Sequence, residues 1–315
     1  ILFKTFAFIN FYLNMKLFIL LFLKFVYSEL LYYNTLLQSG ARGNQTMDSQ
    51  MLYLEKLDSY VFPFEADRSD VPTSTYDFVN LYIMKNDIVS YQVKVRYDFC
   101  IKDYSYKIPI VEVPTDDPTT SKIASLGTYN RLVPTSNNPC GNVFVDFSIF
   151  KLGPTGYETL KFYRAMDVFG ERGKALCPTC DVYRVISLTY TNGKYIGLIM
   201  FSNSKYQSTR LFGVVILNEN QPIEQVLLYS YDLINVKEIK NIPDSSFVYF
   251  YIPDRSEMVL IDVNQVYQNN NPGLLLKLNI PSRSIPTDVV YDYQTDSFMI
   301  SYVTGYRVNN GAGFV

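Results

Sequence analysis

The chain of 315 residues contains no histidine and no tryptophan. The absence of histidine excludes Ser-His-Asp triads, Cys-His nucleophile pairs, histidine metal ligands and histidine acid-base catalysis, which together serve a large share of enzyme mechanisms. Carboxylates, lysine, tyrosine and cysteine are therefore the side chains left for catalysis.

The sequence also lacks an excess of either charge. Its 28 Lys and Arg residues face 30 Asp and Glu residues, so the net charge is −2. Because a nucleic-acid-binding protein needs a clustered basic face, we expect no nucleic-acid partner. The chain is 48% hydrophobic, enough for a large core, and its length suits one large all-β domain or two smaller ones.

Aromatic residues are abundant, with 28 tyrosines and 22 phenylalanines. Such rings are enriched in recognition surfaces, but they also pack between sheets. A coding sequence rich in A and T gives the same bias. Composition alone leaves these alternatives open.

Residues 1–28 are predicted to hold upstream residues and a secretory signal peptide. Lys16 follows Met15, an apolar run comes next, and Ser28 ends the predicted cleavage site. The alternative is a membrane anchor over residues 1–26, which five polar or charged residues interrupt. We therefore expect the mature chain to be secreted or to face the outside of the plasma membrane.

The four cysteines fit an exported protein, in which an even number predicts disulfide bonds. Four cysteines allow three pairings. Cys177 and Cys180 are close enough in sequence to pair, which leaves Cys100 with Cys140. Asn44 begins an N-Q-T sequon and is the predicted glycosylation site.

The Cys177-x-x-Cys180 spacing also occurs in redox centres and zinc sites. A redox centre places its first cysteine at the start of a helix, whereas a β-branched run follows Cys180 here. A zinc site needs a second pair of ligands, and no other C-x-x-C is present. The pattern favours a structural disulfide, and we expect no metal and no cofactor.

Residues 29–75 form an N-terminal segment of unclear structure. Apolar residues near Leu54 and Leu57 fit one face of a helix, but the run from Tyr60 to Phe62 fits a strand equally well.

From residue 76 to residue 315 the pattern is β. Turn residues separate apolar runs at 85–87 and again at 153–156, which predicts two hairpins. Residues 114–140, rich in Pro, Thr, Ser and Asn, are predicted to be a long surface excursion.

Three strongly apolar strands recur at a nearly constant spacing. Tyr195 and Phe247 are 52 residues apart, and Phe247 and Phe298 are 51 apart. Phe144, 51 residues before Tyr195, extends this register upstream. A shorter strand precedes each of the three cores, and two more strands follow the first two. Four strands per repeat of about 50 residues predict an all-β propeller with four-stranded blades. Its last blade, ending at Val315, is predicted to be incomplete.

Residues 182–305 resemble the broad group of YVTN, NHL and kelch-like propeller repeats. The similarity lies in the segment from Ile285 to Asp292 and in the following strand from Phe298 to Val303. Neither the kelch double glycine nor a Trp-Asp ending is present. The resemblance implies a propeller fold and no particular activity, because such folds serve many functions.

Paired carboxylates are the one common catalytic arrangement that needs no histidine, as in glycoside hydrolases. The candidates are Asp98, Asp146, Asp244, Asp288, Asp292 and Asp296. Aspartate is also common in turns for purely structural reasons, and we predict no catalytic residue among them.

These observations predict a non-enzymatic module that binds a protein or glycan through loops at one end of a propeller. The alternative is a carboxylate-based glycoside hydrolase on the same scaffold. A third hypothesis makes the chain part of a larger cell-surface receptor, whose missing C-terminus would carry a membrane anchor.

Overall fold

The computed structural model describes residues 51–66, 78–86, 88–95, 108–131, 142–178, 180–203, 210–220, 222–230, 236, 238–265, 276–281 and 284–304. Within these ranges the protein contains eighteen β-strands, one α-helix and two single turns of 3-10 helix. The strands form five separate antiparallel sheets, each built from strands that are consecutive in the chain. The predicted all-β class is confirmed.

The first sheet contains β1 (Leu52–Leu54), β2 (Ser59–Ala66), β3 (Phe78–Lys85) and β4 (Ile88–Val95). The second sheet contains β5 (Ile110–Val113), β6 (Ser121–Arg131), β7 (Asn142–Leu152) and β8 (Tyr157–Met166). The helix α1 (Gly170–Leu176) connects β8 to the third sheet.

The third sheet contains β9 (Cys180–Thr191), β10 (Lys194–Asn203), β11 (Arg210–Leu217) and β12 (Gln225–Ser230). The fourth sheet contains β13 (Ile239–Asn241), β14 (Phe247–Ile252), β15 (Glu257–Asp262) and β16 (Leu276–Asn279). The fifth contains β17 (Ser284–Asp292) and β18 (Ser297–Thr304).

The sheets stack face to face in chain order, and each neighbouring pair shares one hydrophobic core. Strand β10 shows why, since its side chains are apolar on both faces. Tyr195 and Phe201 pack into the core shared with the second sheet. Ile196 and Met200 pack into the core shared with the fourth sheet. A strand buried on both faces is expected to read as a continuous apolar run, as this one does.

The first strands of successive sheets lie next to one another. Strand β1 contacts β5, β5 contacts β9, and β9 contacts β13. Ser187 and Thr191 of β9 donate hydrogen bonds to the carbonyls of Ile239 and Ser245, at 3.4 and 2.7 Å. Thr191 follows Ser187 along the chain, and its acceptor Ser245 likewise follows Ile239. Strand β9 therefore runs in the same direction as β13. Corresponding ends of these two sheets therefore lie on the same side.

The three aromatic strands that define the repeat are β10, β14 and β18, and they lie in three different sheets. Each is the second strand of its sheet, as the spacing predicts. The upstream extension of this register was wrong, because Phe144 lies in β7, a third strand. The equivalent second strand is β6, and α1 together with longer connections makes this part of the chain depart from the spacing.

The prediction of a surface excursion over residues 114–140 was also wrong. Residues 114–120 form a turn, but β6 then crosses the second sheet, and Ser121, Ile123 and Leu126 are fully buried. Small residues on β6 let neighbouring sheets approach closely, and this composition resembles that of a loop.

The first sheet begins inside the segment whose structure the sequence left open. Strands β1 and β2 lie within residues 29–75 and pair with each other, and β2 also pairs with β3. A single turn of 3-10 helix at Glu55–Leu57 separates β1 from β2, so the apolar residues on its two sides belong to two strands.

Candidate recognition surface at the hairpin end

The turns that join first to second strands and third to fourth strands lie at one end of the stack, here called the hairpin end. Contacts between sheets tie these turns together. The Lys56 ammonium donates to the carbonyl of Asp117 at 3.0 Å, which joins the first and second sheets. Lys194 donates to the carbonyl of Val263 at 2.8 Å, which joins the third and fourth. The described turn residues are 55–58, 86, 114–120, 153–156, 192–193, 218–220, 222–224, 242–246, 263–265 and 293–296.

The hairpin between β17 and β18 presents an exposed aromatic ring on a fixed support. Tyr293 is 63% exposed, and its ring contacts Tyr291 edge to face at 4.7 Å. Tyr291 in turn packs on Phe298 and Phe247, at centroid distances of 5.0 and 5.2 Å. Aromatic pairs at these distances are favourable. Tyr293 is therefore held against a preformed cluster and keeps most of its surface free.

The same turn contains two carboxylates, Asp292 just before Tyr293 in the sequence and Asp296 three residues after it. The Tyr291 hydroxyl donates a short hydrogen bond to Asp296, and this bond raises the pKa of Tyr291. Asp292 accepts hydrogen bonds from the Gln294 amide at 2.9 Å and from the Thr295 hydroxyl at 2.6 Å. The Thr295 hydroxyl, followed by the Gln294 amide, lowers the pKa of Asp292. Both carboxylates are thus held by hydrogen bonds within their own turn.

The first sheet carries an equivalent turn between β1 and β2. The Tyr53 hydroxyl donates to Asp58 Oδ1 at 2.9 Å, which raises the pKa of Tyr53. The Tyr53 ring lies 5.0 Å from that of Tyr60, and the two side chains are 46% and 40% exposed. Asp58 and Asp296 both adopt a positive φ, near 50°, which aspartate tolerates better than most residues.

The two turns share the pattern Tyr-x4-Asp-Ser-aromatic, at residues 53–60 and 291–298. We call each of them an aromatic-carboxylate turn. The pattern is readable from the sequence, but a spacing near 51 residues does not reveal it, because the two copies lie in the first and fifth sheets.

A buried hydrogen-bond network supports the hairpin end between the second and third sheets. The Tyr195 hydroxyl donates to Glu219 Oε1 at 2.7 Å, and Lys122 forms a short ion pair with the same oxygen. The Tyr163 hydroxyl donates to the Glu219 carbonyl. Burial, reinforced by Glu219, strongly raises the pKa of Tyr195. Burial alone would raise the pKa of Glu219, but hydrogen bonds from Lys122 and Tyr195 lower it below its ordinary value.

Three of the predicted carboxylate candidates have structural roles in the fold. Asp146 is fully buried and accepts a 2.6 Å hydrogen bond from the Ala165 amide, where β8 has a bulge. Asp244 lies in a turn at a φ of 54°. Asp288 accepts a bond from the amide of Val289. Asp98 lies outside the described residues.

The Cys177–Cys180 disulfide is present as predicted. Both cysteines are buried in the core between the second and third sheets. Cys177 follows the end of α1, and Cys180 begins β9. A buried position at the end of a helix is not the electropositive, partly exposed setting of a reactive thiol. Cys100, Cys140, Asn44 and the predicted signal peptide lie outside the described residues.

Two further properties concern the described residues as a whole. They include no group of three or more Cys, Asp or Glu side chains arranged to hold a metal ion. None of their helices combines the length and the apolar character that crossing a bilayer demands.

No protein-family model matches the chain. No curated protein matches it either. Solved structures with some similarity include an ACO/RPE65 chimera, at 10% identity and a TM-score of 0.33 over 76% of this chain and 50% of that one. Hydrazine synthase of Kuenenia stuttgartiensis gives 10% identity and a TM-score of 0.32, covering 80% of each chain. Apocarotenoid oxygenase of Synechocystis gives 10% identity and a TM-score of 0.30 over 74% of this chain and 49% of that one.

The chain thus spans about half the length of the ACO/RPE65 chimera and of the apocarotenoid oxygenase. All three TM-scores are below 0.5, so the protein is classified from its own architecture. Its described residues form an all-β fold of four successive four-stranded antiparallel sheets and a two-stranded one, with aromatic-carboxylate turns at the hairpin end.

Proposed function

We propose that the protein is an exported, non-enzymatic binding module that recognises a protein or glycan through its hairpin end. The observation that carries this proposal is the exposed ring of Tyr293, held on Tyr291 in a turn that also contains Asp292 and Asp296. A large side chain that is both exposed and fixed in place loses little conformational entropy on binding, which is typical of recognition surfaces.

Export is part of the proposal, to the medium or to the outer face of the plasma membrane. The signal-peptide pattern before Glu29 and the buried Cys177–Cys180 disulfide support it, because disulfides persist in oxidising compartments. In this proposal the protein is attached to a membrane only if it is part of a longer receptor that carries an anchor elsewhere.

We further propose that the sheets are blades of a β-propeller. Their order along the chain and the adjacency of their first strands support this arrangement. In the first sheet, Tyr60 lies on the face that points away from the second sheet. In the fifth sheet, Met299 is exposed on the face that points away from the fourth sheet. A closed ring would bring these two faces together.

Ring closure is tested by cross-linking. The chain carrying Tyr60→Cys and Met299→Cys is treated with a short bis-maleimide and digested for mass spectrometry. Closure predicts an intramolecular cross-link, which should be absent from a control with Phe162→Cys and Met299→Cys. A cross-link that forms only between molecules, or none at all, contradicts closure within this chain.

The binding function is tested on the full chain, secreted from a eukaryotic host with its own leader. The expected mature N-terminus is Glu29, and the secreted protein is applied to a glycan array and to intact cells. Tyr293→Ala should reduce the signal, whereas Phe162→Ala, which removes a 47% exposed ring from β8, should not. Equal signals from both variants would contradict recognition by the hairpin end.

The alternative function, a carboxylate-based glycoside hydrolase, is tested with the same preparation. Catalysis of this kind needs two carboxyl groups about 5 to 10 Å apart across the substrate. Turnover of a panel of 4-methylumbelliferyl glycosides, abolished by Asp292→Asn or Asp288→Asn, would replace the binding proposal.

A further inference from the structure

We infer that the two aromatic-carboxylate turns bind lysine or arginine side chains of a protein partner. The inference rests on the proposed function and narrows its partner from a protein or glycan to a polypeptide with exposed basic residues.

The first argument is the chemistry of each turn. In both turns a tyrosine hydroxyl donates to an aspartate of the same turn, Tyr53 to Asp58 and Tyr291 to Asp296. In the second turn the exposed ring of Tyr293 packs on Tyr291. A cation near an aromatic face is attracted by the electron density of the ring, and a neighbouring carboxylate adds direct charge attraction. An arginine side chain uses both at once, since its planar guanidinium stacks on rings and donates to carboxylates.

The second argument is the charge of the whole hairpin end. Its described turn residues include one basic side chain, Lys56, and eight acidic ones. The acidic residues are Glu55, Asp58, Asp116, Asp117, Glu219, Glu224, Asp244 and Asp296. The chain as a whole carries a net charge of only −2. Four lysines at the adjoining strand ends pair with turn carboxylates, which gives five basic and eight acidic side chains, so these turns keep an excess of three negative charges.

Four lysines that flank these turns form ion pairs with carboxylates of the hairpin end. Lys122, Lys151 and Lys194 pair with Glu219, Asp117 and Glu224, and the exposed Lys85 ammonium lies 3.8 Å from Asp58 Oδ2. Within the described part of the chain, Glu55, Asp116, Glu158 and Asp244 have no ion-pair partner, and all four are exposed. An anionic surface of this kind attracts a basic partner and repels sulfated or sialylated glycans.

The experiment measures binding of the full secreted chain to a fluorescein-labelled octa-arginine peptide by fluorescence anisotropy at physiological salt. A peptide of eight citrullines, neutral and nearly the same shape, is the probe control. Wild-type protein should bind the arginine peptide and not the citrulline peptide. Tyr293→Ala should weaken binding about threefold to tenfold, and Tyr293→Phe, which keeps the ring, should have little effect.

A matched pair of variants separates this site from general electrostatic attraction. Asp296→Asn and Glu171→Gln each remove one negative charge, but Glu171 lies on α1 at the opposite end of the stack. The inference predicts that Asp296→Asn weakens binding and that Glu171→Gln does not. Equal effects would overturn it, because attraction would then depend on net charge alone.

The outcome also distinguishes this inference from the broader proposal. If the arginine peptide does not bind, or binds Tyr293→Ala as well as wild type, the inference is wrong. A glycan-array signal that still requires Tyr293 would then leave the proposed function standing with a glycan as its ligand. Thermal melting of each variant by circular dichroism confirms that losses of binding are not losses of folding.

Discussion

Replacing Glu219 with alanine is expected to destabilise the protein more than any other single carboxylate change at the hairpin end. The substitution removes the acceptor of the buried Tyr195 hydroxyl and the partner of Lys122. A hydrogen bond to a charged acceptor contributes about 1.5 to 3 kcal/mol. The Lys122 pair adds at most about 1 kcal/mol, because 19% of the Lys122 and 35% of the Glu219 side chain remain exposed.

The expected loss is therefore about 1.5 to 4 kcal/mol in the free energy of unfolding. Because the chain has no tryptophan, urea denaturation is followed by far-ultraviolet circular dichroism. Tyr195→Phe should cost about 1 to 2 kcal/mol. In a double-mutant cycle, the losses from Tyr195→Phe and Glu219→Ala should not add, because both remove the same bond.

The control is Glu158→Ala, which removes an exposed carboxylate from the start of β8 and should change stability by less than about 0.5 kcal/mol. The reasoning is refuted if Glu219→Ala is no more destabilising than this control. It is also refuted if the two losses in the cycle are fully additive.

Three further changes test other parts of the structure. Replacing Cys177 and Cys180 with serine should cost about 2 kcal/mol in loop entropy alone, because the bond closes a very small loop, and calorimetry with and without a reductant measures it. Gly197→Ala should destabilise the protein, because the new methyl group would overlap Leu126 of the second sheet, and the loss of stability on combining it with Leu126→Ala should be smaller than the sum of the two single losses. The free energy of unfolding should fall as the pH drops below the ordinary carboxyl range near 4. Folding lowers the pKa of Glu219, so the contribution of its carboxylate to stability is complete above that range and is lost below it. Glu219→Gln should flatten this part of the profile of stability against pH, and the test fails only if the wild-type profile is already flat.

The C-terminal half of the fold was predictable because its strands are apolar on both faces and return at a regular spacing. Strands β10, β14 and β18 lie in separate sheets, as that spacing indicates. The N-terminal half was less accessible. Strand β6 has serine, alanine and glycine where neighbouring sheets approach closely, so its composition resembles that of a loop. Phe144 has the expected spacing but belongs to a third strand, because aromatic residues occur in every strand class here.

The candidate surface was only partly accessible from the sequence. Tyrosine abundance indicated either recognition or packing, and both occur, with Tyr195 fully buried and Tyr293 mostly exposed. Pairing of Tyr53 with Asp58 and of Tyr291 with Asp296 depends on a turn with positive φ that brings residues five apart together. Propensity favours aspartate in such turns, but it does not show which side chain the aspartate will meet.

The sharing of one core by each neighbouring pair of sheets has a mechanical consequence. A sheet in the middle of the row is clamped from both sides, whereas the described contacts clamp β17 and β18 through the fourth sheet. If the row is open, fraying starts at this terminal hairpin and travels inward one interface at a time, as in linear repeat arrays. In hydrogen-deuterium exchange an open row would make the amides of β18 exchange before those of β10, whereas closure against the first sheet would protect both strands.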